Sequence, residues 1–249
     1  MLKIRVIPVL TFNGIGLVKT KQFSNPRMLG NPIQAAKVFN ARGVDELVFI
    51  DILASKQKRK INLPIIQDVI KECYMPVGIG GGISDLWDIN DLLRIGADKV
   101  IVKSKALINP EFVKEASDFF GSQCITIAVD AKKHGDGYKI YNNLGVDIDV
   151  IDFVRMVEDS GAGELIVNAV DNDGMMNGFD CQLIRLVETA SKLPLIALGG
   201  GGDLHHYKEL FTNTNVEAVG SSSIFSFTQF TPLDIKKELQ AIGKPVRLC

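Results

Sequence analysis

Two glycine-rich turns are the residues of this 249-residue chain whose types and spacing point most clearly to chemistry. Residues 77–83 (VGIGGGI) are matched about half a chain later by residues 196–202 (IALGGGG). Because glycine has no Cβ, backbone N–H groups in such turns can approach a phosphate closely, and the N-terminus of a following helix favours an anion. The glycines expected to line these two phosphate sites are Gly81, Gly82, Gly199 and Gly200.

Serines at the ends of the next strand patterns extend the match between the two halves. Ser104 follows one of these strands, and Ser222 and Ser223 follow the other. Their hydroxyl groups can donate hydrogen bonds to the same phosphates. The pattern therefore predicts a ligand with a phosphate at each end, and tight turns without a ligand are the alternative.

Acidic side chains also stand at strand ends. Asp130 closes the fifth predicted strand, Asp51 closes the second, and residues 171–174 (DNDG) follow the sixth. A carboxylate at the C-terminal end of a barrel strand faces the mouth, where it can exchange protons with a ligand. The alternative for Asp130 is a helix cap or an ion pair with Lys132. For Asp51, a structural hydrogen-bonding role is an equal alternative.

Four charged residues stand at the opposite ends of the predicted strands. Two are basic and two acidic: Arg5, Glu46, Lys99 and Glu164. At such positions they can form a ring of ion pairs across the floor of a barrel. From spacing alone, a stabilising closure of the floor is the preferred interpretation.

Eight apolar strand patterns alternate with eight helical patterns, which predicts a (β/α)₈ TIM barrel built from two similar half-barrels. The strands are predicted at 4–10, 46–51, 76–79, 98–102, 124–130, 163–169, 194–198 and 216–220. The helices are predicted at 31–42, 62–73, 84–95, 110–119, 148–160, 180–191, 203–212 and 232–241. A doubly wound sheet is the alternative. No linker separates the halves, so residues 1–249 are expected to form one domain.

Two segments depart from the minimal repeat. Residues 11–30 are predicted to form a long first loop, functional or mobile. Residues 131–147 are predicted to contain a small hairpin after the fifth strand. Both follow a barrel strand, on the face where barrel active sites are built.

Composition excludes several classes of function. The net charge of −1 favours neither nucleic-acid nor anionic-membrane binding. The 46% of hydrophobic residues are enough for a buried parallel sheet. No apolar run is long enough to span a membrane or to serve as a leader, so a cytoplasmic protein is expected. The four cysteines (Cys73, Cys124, Cys181 and Cys249) are expected to be reduced thiols, and three histidines predict no metal site. No cofactor is expected.

Taken together, these motifs resemble the cyclase subunit of imidazole glycerol phosphate synthase, and the likeness runs over essentially the whole chain. The matching segments are 45–52 (DELVFIDI), 80–83 (GGGI), 96–100 (GADKV), 121–123 (GSQ), 129–132 (VDAK), 161–164 (GAGE), 171–174 (DNDG) and 178–180 (GFD).

The resemblance implies a barrel that docks a glutaminase subunit against its N-terminal face, as a heterodimer. Ammonia then passes through the barrel to a doubly phosphorylated small-molecule substrate, which is cleaved and cyclised. The four charged residues acquire the role of an ammonia gate, and Asp98 faces the glutaminase. The residues assigned to substrate or phosphate binding are Lys19, Gly81, Gly82, Lys103, Ser104, Asp173, Gly174, Gly199, Gly200, Ser222 and Ser223.

The catalytic positions depart from the family pattern. The family uses two aspartates as general acid and base; Asp130 matches one, and Thr11 stands in the position of the other. A threonine hydroxyl does not titrate near neutrality, so it cannot replace a carboxylate in proton transfer. Lys103 stands where the family usually has an uncharged amide, and Leu198 where a serine is common.

Two alternatives to the cyclase remain open, of which the first follows from these departures. One is an ammonia-delivering paralogue that serves amidino-sugar formation in bacterial surface polysaccharide synthesis, together with a third, sugar-amidating protein. The other is the sibling isomerase of a phosphoribosyl aminoaldose, which works without a glutaminase. The complete set of floor charges argues against the isomerase.

Overall fold

A computed structural model describes residues 2–248, and its strands form one closed sheet with an attached pair of hairpins. In chain order the strands are β1 (Arg5–Phe12), β2 (Leu17–Lys21), β3 (Ser24–Gly30), β4 (Leu47–Asp51), β5 (Val77–Gly80), β6 (Lys99–Val102), β7 (Ile125–His134), β8 (Gly137–Ile140), β9 (Glu164–Ala169), β10 (Leu195–Leu198) and β11 (Ala218–Ser221). Parallel pairing runs β1-β4-β5-β6-β7-β9-β10-β11 and closes by pairing β11 with β1. The (β/α)₈ barrel prediction is confirmed.

Helices alternate with these strands on the outside of the barrel. They are α1 (Pro32–Ala41), α2 (Leu63–Ile70), α3 (Leu86–Arg94), α4 (Ser104–Ile108), α5 (Glu111–Phe120), α6 (Val150–Asp159), α7 (Cys181–Ala190), α8 (Leu204–Asn213), α9 (Ser223–Phe227) and α10 (Pro232–Ala241), with a 3₁₀ turn at Ser122–Cys124. All eight predicted helices are present. The short helices α4 and α9 were not predicted, because a segment of barely more than one turn carries no readable helical period.

Capping side chains explain where several helices begin. The side chains of Asn31, Asp85 and Thr231 each accept a hydrogen bond from a backbone N–H in the first turn. Proline follows Asn31 and Thr231 at the first helical position, where its missing N–H costs nothing.

The prediction of a long first loop at residues 11–30 is wrong in its secondary structure. Strand β1 continues to Phe12, and β2 and β3 form an antiparallel hairpin, with Thr11 paired to Val18. Every residue of β3 is exposed, so its sequence lacks the apolar alternation that would have marked a strand. The predicted hairpin after the fifth strand is confirmed: β8 pairs antiparallel with the end of β7, which therefore continues past Asp130, its predicted end, to His134.

Two separate apolar cores hold the barrel together. The larger one lies between the strands and the helices. The smaller one fills the inside of the barrel with Ile7, Val9, Val48, Ile101, Ile166, Ile196 and Ala218. Because side chains alternate along a strand, Arg5 and Thr11 share the inward face of β1 with this inner core. The inner core therefore separates a charged floor from the mouth.

Candidate functional site

The floor of the barrel carries a complete ring of ion pairs, contributed by the N-terminal ends of four strands. Arg5 donates from one guanidinium nitrogen to Glu46 and from another to Glu164, both at 2.6 Å. The Lys99 ammonium lies 3.1 Å from a Glu46 oxygen and 2.7 Å from a Glu164 oxygen. Each cation thus contacts both anions, as the charge pattern of the sequence predicted.

Burial strengthens these contacts. The side chain of Glu46 is only 3% exposed and that of Glu164 is 9% exposed. Burial by itself would lower the pKa of Arg5, but the charges of Glu164 and Glu46 outweigh it and raise that pKa. Asp98 lies exposed on the same face, where its carboxylate accepts the Val77 N–H at 2.8 Å.

At the mouth, the Asp130 carboxylate is held between two side chains. Lys103 donates to one of its oxygens at 2.5 Å, and the side-chain amide of Asn168 donates to the other at 3.2 Å. The partner of Asp130 is therefore Lys103, and the expected alternative of an ion pair with Lys132 is wrong. Asn168 was not predicted as a site residue, because only the pairing of β7 with β9 places it directly opposite Asp130.

Thr11 lies at the mouth, but its hydroxyl serves the hairpin. The Oγ1 atom donates a short hydrogen bond to the carbonyl oxygen of Val18 on β2. This side chain therefore ties the hairpin to the barrel strand and carries no titratable proton. Thr11 and Asp130 both face the mouth, so one of the two positions where the resemblance implies a carboxylate carries one.

Lys19 and Asp173 form a buried ion pair beside the mouth. The Lys19 ammonium lies 2.6 Å from an Asp173 oxygen, and their side chains are 7% and 6% exposed. Burial raises the pKa of Asp173, while the charge of Lys19 opposes the rise. Asp173 and Gly174 lie in the loop after β9, and the Gln22 N–H donates to the Asp173 carbonyl oxygen at 2.8 Å. The ion pair and this hydrogen bond connect the first hairpin to that loop.

The other acids at strand ends make structural hydrogen bonds. Asp51 accepts two hydrogen bonds from Arg59, at 2.6 and 2.8 Å, and two more from backbone N–H groups. Asp171 accepts the Lys133 N–H at 2.9 Å. Of the two interpretations of Asp51, the structure supports the hydrogen-bonding one.

Both glycine turns adopt backbone conformations that other residues rarely take. The φ angle is +112° at Gly81 and +109° at Gly200. A Cβ at Gly81 would lie 2.3 Å from the Asp51 carbonyl oxygen, and one at Gly200 would lie 1.9 Å from the Gly178 carbonyl oxygen. Close packing against a neighbouring loop thus accounts for glycine here, with or without a phosphate.

The other residues expected to bind phosphate lie in these turns or at the start of the short helices α4 and α9. Gly82 donates its N–H to the Ser55 hydroxyl at 3.2 Å, and Gly199 has φ +93°. Ser104 is the first residue of α4, and Ser223 is the first of α9. A cavity of about 350 Å³ opens beside Ser222 and Thr11.

The described residues carry no other site of the kinds considered in the sequence. In residues 2–248, no helix is long and apolar enough to cross a membrane, and no cluster of His, Cys, Asp and Glu is arranged to hold a metal ion. Cys73, Cys124 and Cys181 are free thiols, and burial raises the pKa of Cys73 to about 11. Cys249 lies outside the described residues.

Comparison with known proteins gives the same family as the motifs. A family model described as "Histidine biosynthesis protein" matches residues 5–231. The chain is 44% identical over 252 aligned positions to the imidazole glycerol phosphate synthase subunit HisF of Staphylococcus carnosus (strain TM300), and the alignment covers 99% of each protein. The chain therefore belongs to the histidine biosynthesis protein family.

Proposed function

We propose that the chain is the cyclase subunit of an imidazole glycerol phosphate synthase-like enzyme, which uses ammonia from a glutaminase partner on a phosphorylated substrate. The observation that carries this proposal is the combination of a closed charge ring at the floor with the Asp130 carboxylate at the mouth, the opposite end of the barrel. The 44% identity over nearly the whole chain supports the same activity.

The floor is the proposed entry for ammonia. The glutaminase docks on the N-terminal face, on which Asp98 is exposed. Lys99 is 20% exposed and contacts Glu46 and Glu164, and we propose that ammonia enters when these contacts open. Ammonia is neutral and small, and it can pass among the apolar side chains of the inner core at less cost than ammonium.

The mouth is the proposed site of the substrate. The two glycine turns follow the third and seventh barrel strands, so they can hold phosphate groups at the two ends of one ligand. Asp130 lies where β7, the fifth barrel strand, leaves the barrel to pair with β8, and it serves as the acid or base. Thr11 can donate or accept a hydrogen bond but cannot supply a second titrating group.

A two-part assay tests this function. Purified chain with ammonium salt and the substrate of the histidine pathway is expected to give ammonia-dependent cyclisation. Adding a family glutaminase should make turnover glutamine-dependent, and Lys99→Met should change the glutamine-dependent rate more than the ammonia-dependent rate. Failure to bind any glutaminase, together with no turnover at any ammonium concentration, would overturn the proposal.

A second candidate is the ammonia-delivering paralogue for amidino-sugar formation. The family comparison does not favour it, and neither does it favour the isomerase. One specific observation supports it: Asp130 is paired with Lys103, while Thr11 stands at the position of the second family aspartate. This candidate predicts glutaminase binding without cyclisation of the histidine-pathway substrate, and cyclase turnover in the assay above would exclude it.

A further inference from the structure

The Lys103–Asp130 pair is placed where a ligand can compete for it. Strand β6 pairs with β5 so that Ile101 lies opposite Gly80, and Lys103 therefore continues beside the first glycine turn. The Lys103 side chain is 22% exposed and that of Asp130 is 16% exposed. Within the described residues, Asp130 is the carboxylate within 4.0 Å of this ammonium.

Two aromatic rings also lie near the Lys103 ammonium. The ring centres of Phe23 and Tyr141 lie 6.0 and 5.9 Å from the Lys103 Nζ, and the two rings contact each other edge-on at 5.4 Å. Phe23 comes from the turn between β2 and β3, and Tyr141 follows β8. At these distances the ring faces supply only weak attraction, so the charged carboxylate, which accepts a hydrogen bond from Lys103, determines where the ammonium points.

A phosphate changes this balance. A phosphate monoester carries about −1.5 to −2 charges near neutral pH and offers three acceptor oxygens, against one charge and two oxygens on a carboxylate. An ammonium within reach of both groups therefore favours the phosphate. Asp130 would keep the hydrogen bond from Asn168, which holds its carboxylate in place after the lysine leaves.

We propose that Lys103 is a ligand-responsive positioning residue: it covers the Asp130 carboxylate until a phosphate enters the first glycine turn, and then moves to the phosphate and frees Asp130. The inference rests on the proposed phosphate-binding role of that turn. It gives the mouth an acid–base group that becomes available only when a phosphorylated ligand is bound.

Asp130 and phosphate then compete for Lys103. By thermodynamic linkage, phosphate weakens the Lys103–Asp130 contact, and that contact weakens phosphate binding by the same factor. Calorimetric titration with inorganic phosphate measures it in four proteins: the unmodified chain, Lys103→Met, Asp130→Asn and the double variant. Asp130→Asn should tighten phosphate binding about fivefold or more while Lys103 is present, because the ammonium is released. In the Lys103→Met background, the same substitution should have little effect.

A matched lysine controls for simple charge effects. Lys132 is exposed and lies 5.7 Å from the same Tyr141 ring, without contacting Asp130. In a Lys132→Met background, Asp130→Asn should still tighten binding as it does in the unmodified chain. If Asp130→Asn changes phosphate affinity equally with and without Lys103, the Asp130 carboxylate acts only by repelling phosphate electrostatically, and the proposal is overturned.

A spectroscopic measurement follows Asp130 directly. With ¹³C-labelled aspartate, the Asp130 carboxyl resonance should move on phosphate addition in the unmodified chain and stay nearly still in Lys103→Met. Amide shifts at Gly81 and Gly82 report whether phosphate occupies the turn. If phosphate binds but the Asp130 signal does not move, this inference alone is overturned. If no variant binds phosphate, the proposed phosphate-binding role of the first glycine turn is overturned as well.

Discussion

The floor and the mouth of the barrel both hold paired charges, but the two clusters are built differently. At the floor, each of four side chains contacts two partners of opposite sign. At the mouth, Lys103 and Asp130 form a single pair, supplemented by the neutral amide of Asn168. A charge in the ring keeps one partner when the other contact opens, whereas opening the mouth pair leaves both charges free. The floor ring is therefore suited to keeping that end of the barrel closed, and the mouth pair is suited to exchanging its partner for a ligand.

The two ends also differ in the elements that form them. The ring residues stand at the N-terminal ends of barrel strands, and the inner core packs above them. The mouth depends on two hairpins, which bring Thr11 against Val18 and Phe23 against Tyr141. Substitutions at the floor should act mainly on stability and ammonia entry, and substitutions at the mouth mainly on chemistry.

The largest effect is expected from restoring a second carboxylate at the mouth. Thr11→Asp should raise ammonia-dependent cyclase turnover by about 10²–10⁴-fold, because a positioned acid or base contributes that much. The measurement is the rate at saturating substrate with ammonium salt, without glutaminase. Thr11→Asn is the matched control, since it fills the same space without a titratable group. Equal rates in the two variants would show that a missing carboxylate does not limit this mouth.

The floor is more predictable from sequence than the mouth, and the reason is geometric. Arg5, Lys99 and Glu164 are each the first residue of a strand, so parallel pairing alone brings them to one level. The Val- and Ile-rich strands are equally readable, because strands buried on both faces are continuously apolar.

The contacts at the mouth depend on register and on hairpins. Asp130 meets Lys103 and Asn168 through the stagger between three neighbouring strands, which composition does not determine. Lys19 lies on an antiparallel strand whose partner β3 is fully exposed and so leaves no apolar signal. The glycine turns were recognisable in the sequence, but their close packing against neighbouring segments depends on the tertiary structure and could not be predicted.

The next largest effect is expected where the hairpin joins the mouth. Lys19→Met should lower the free energy of unfolding by about 3–5 kcal/mol, because it leaves the buried Asp173 charge without its partner. Urea unfolding measures this loss. Replacing both residues, as Lys19→Met with Asp173→Leu, should recover most of the stability. A double variant no more stable than the single one would show that the pair does not act as a unit.

The pH dependence of the Lys19→Met variant sharpens the same point. Burial already raises the pKa of Asp173, and removing the opposing lysine raises it further. The folded state then holds this proton more tightly than the unfolded state, so stability falls as pH rises from about 4, the unfolded carboxyl value, through the raised pKa. The stability deficit of Lys19→Met should therefore be smaller at pH 5 than at pH 8, by urea unfolding at both. An equal deficit would contradict the assignment of the loss to a buried carboxylate.

A smaller effect is expected from weakening the floor ring without opening the mouth. Glu46→Gln keeps the shape of the side chain and one acceptor oxygen, but leaves Glu164 as the single ring anion for Arg5 and Lys99. The free energy of unfolding should fall by about 1.5–3 kcal/mol, the usual contribution of a hydrogen bond to a charged group. Urea unfolding at neutral pH and moderate salt measures the change.

Lys139→Gln is the control for this substitution. It breaks an exposed pair with Asp147 on the hairpin after β7, and solvent screening should leave stability nearly unchanged. If Glu46→Gln is equally silent, the ring does not close the floor energetically. If it destabilises the chain and also raises the ammonia-dependent rate, the ring resists entry of ammonia. Destabilisation with an unchanged rate would assign the ring to stability and leave the mouth as the end where chemistry is controlled.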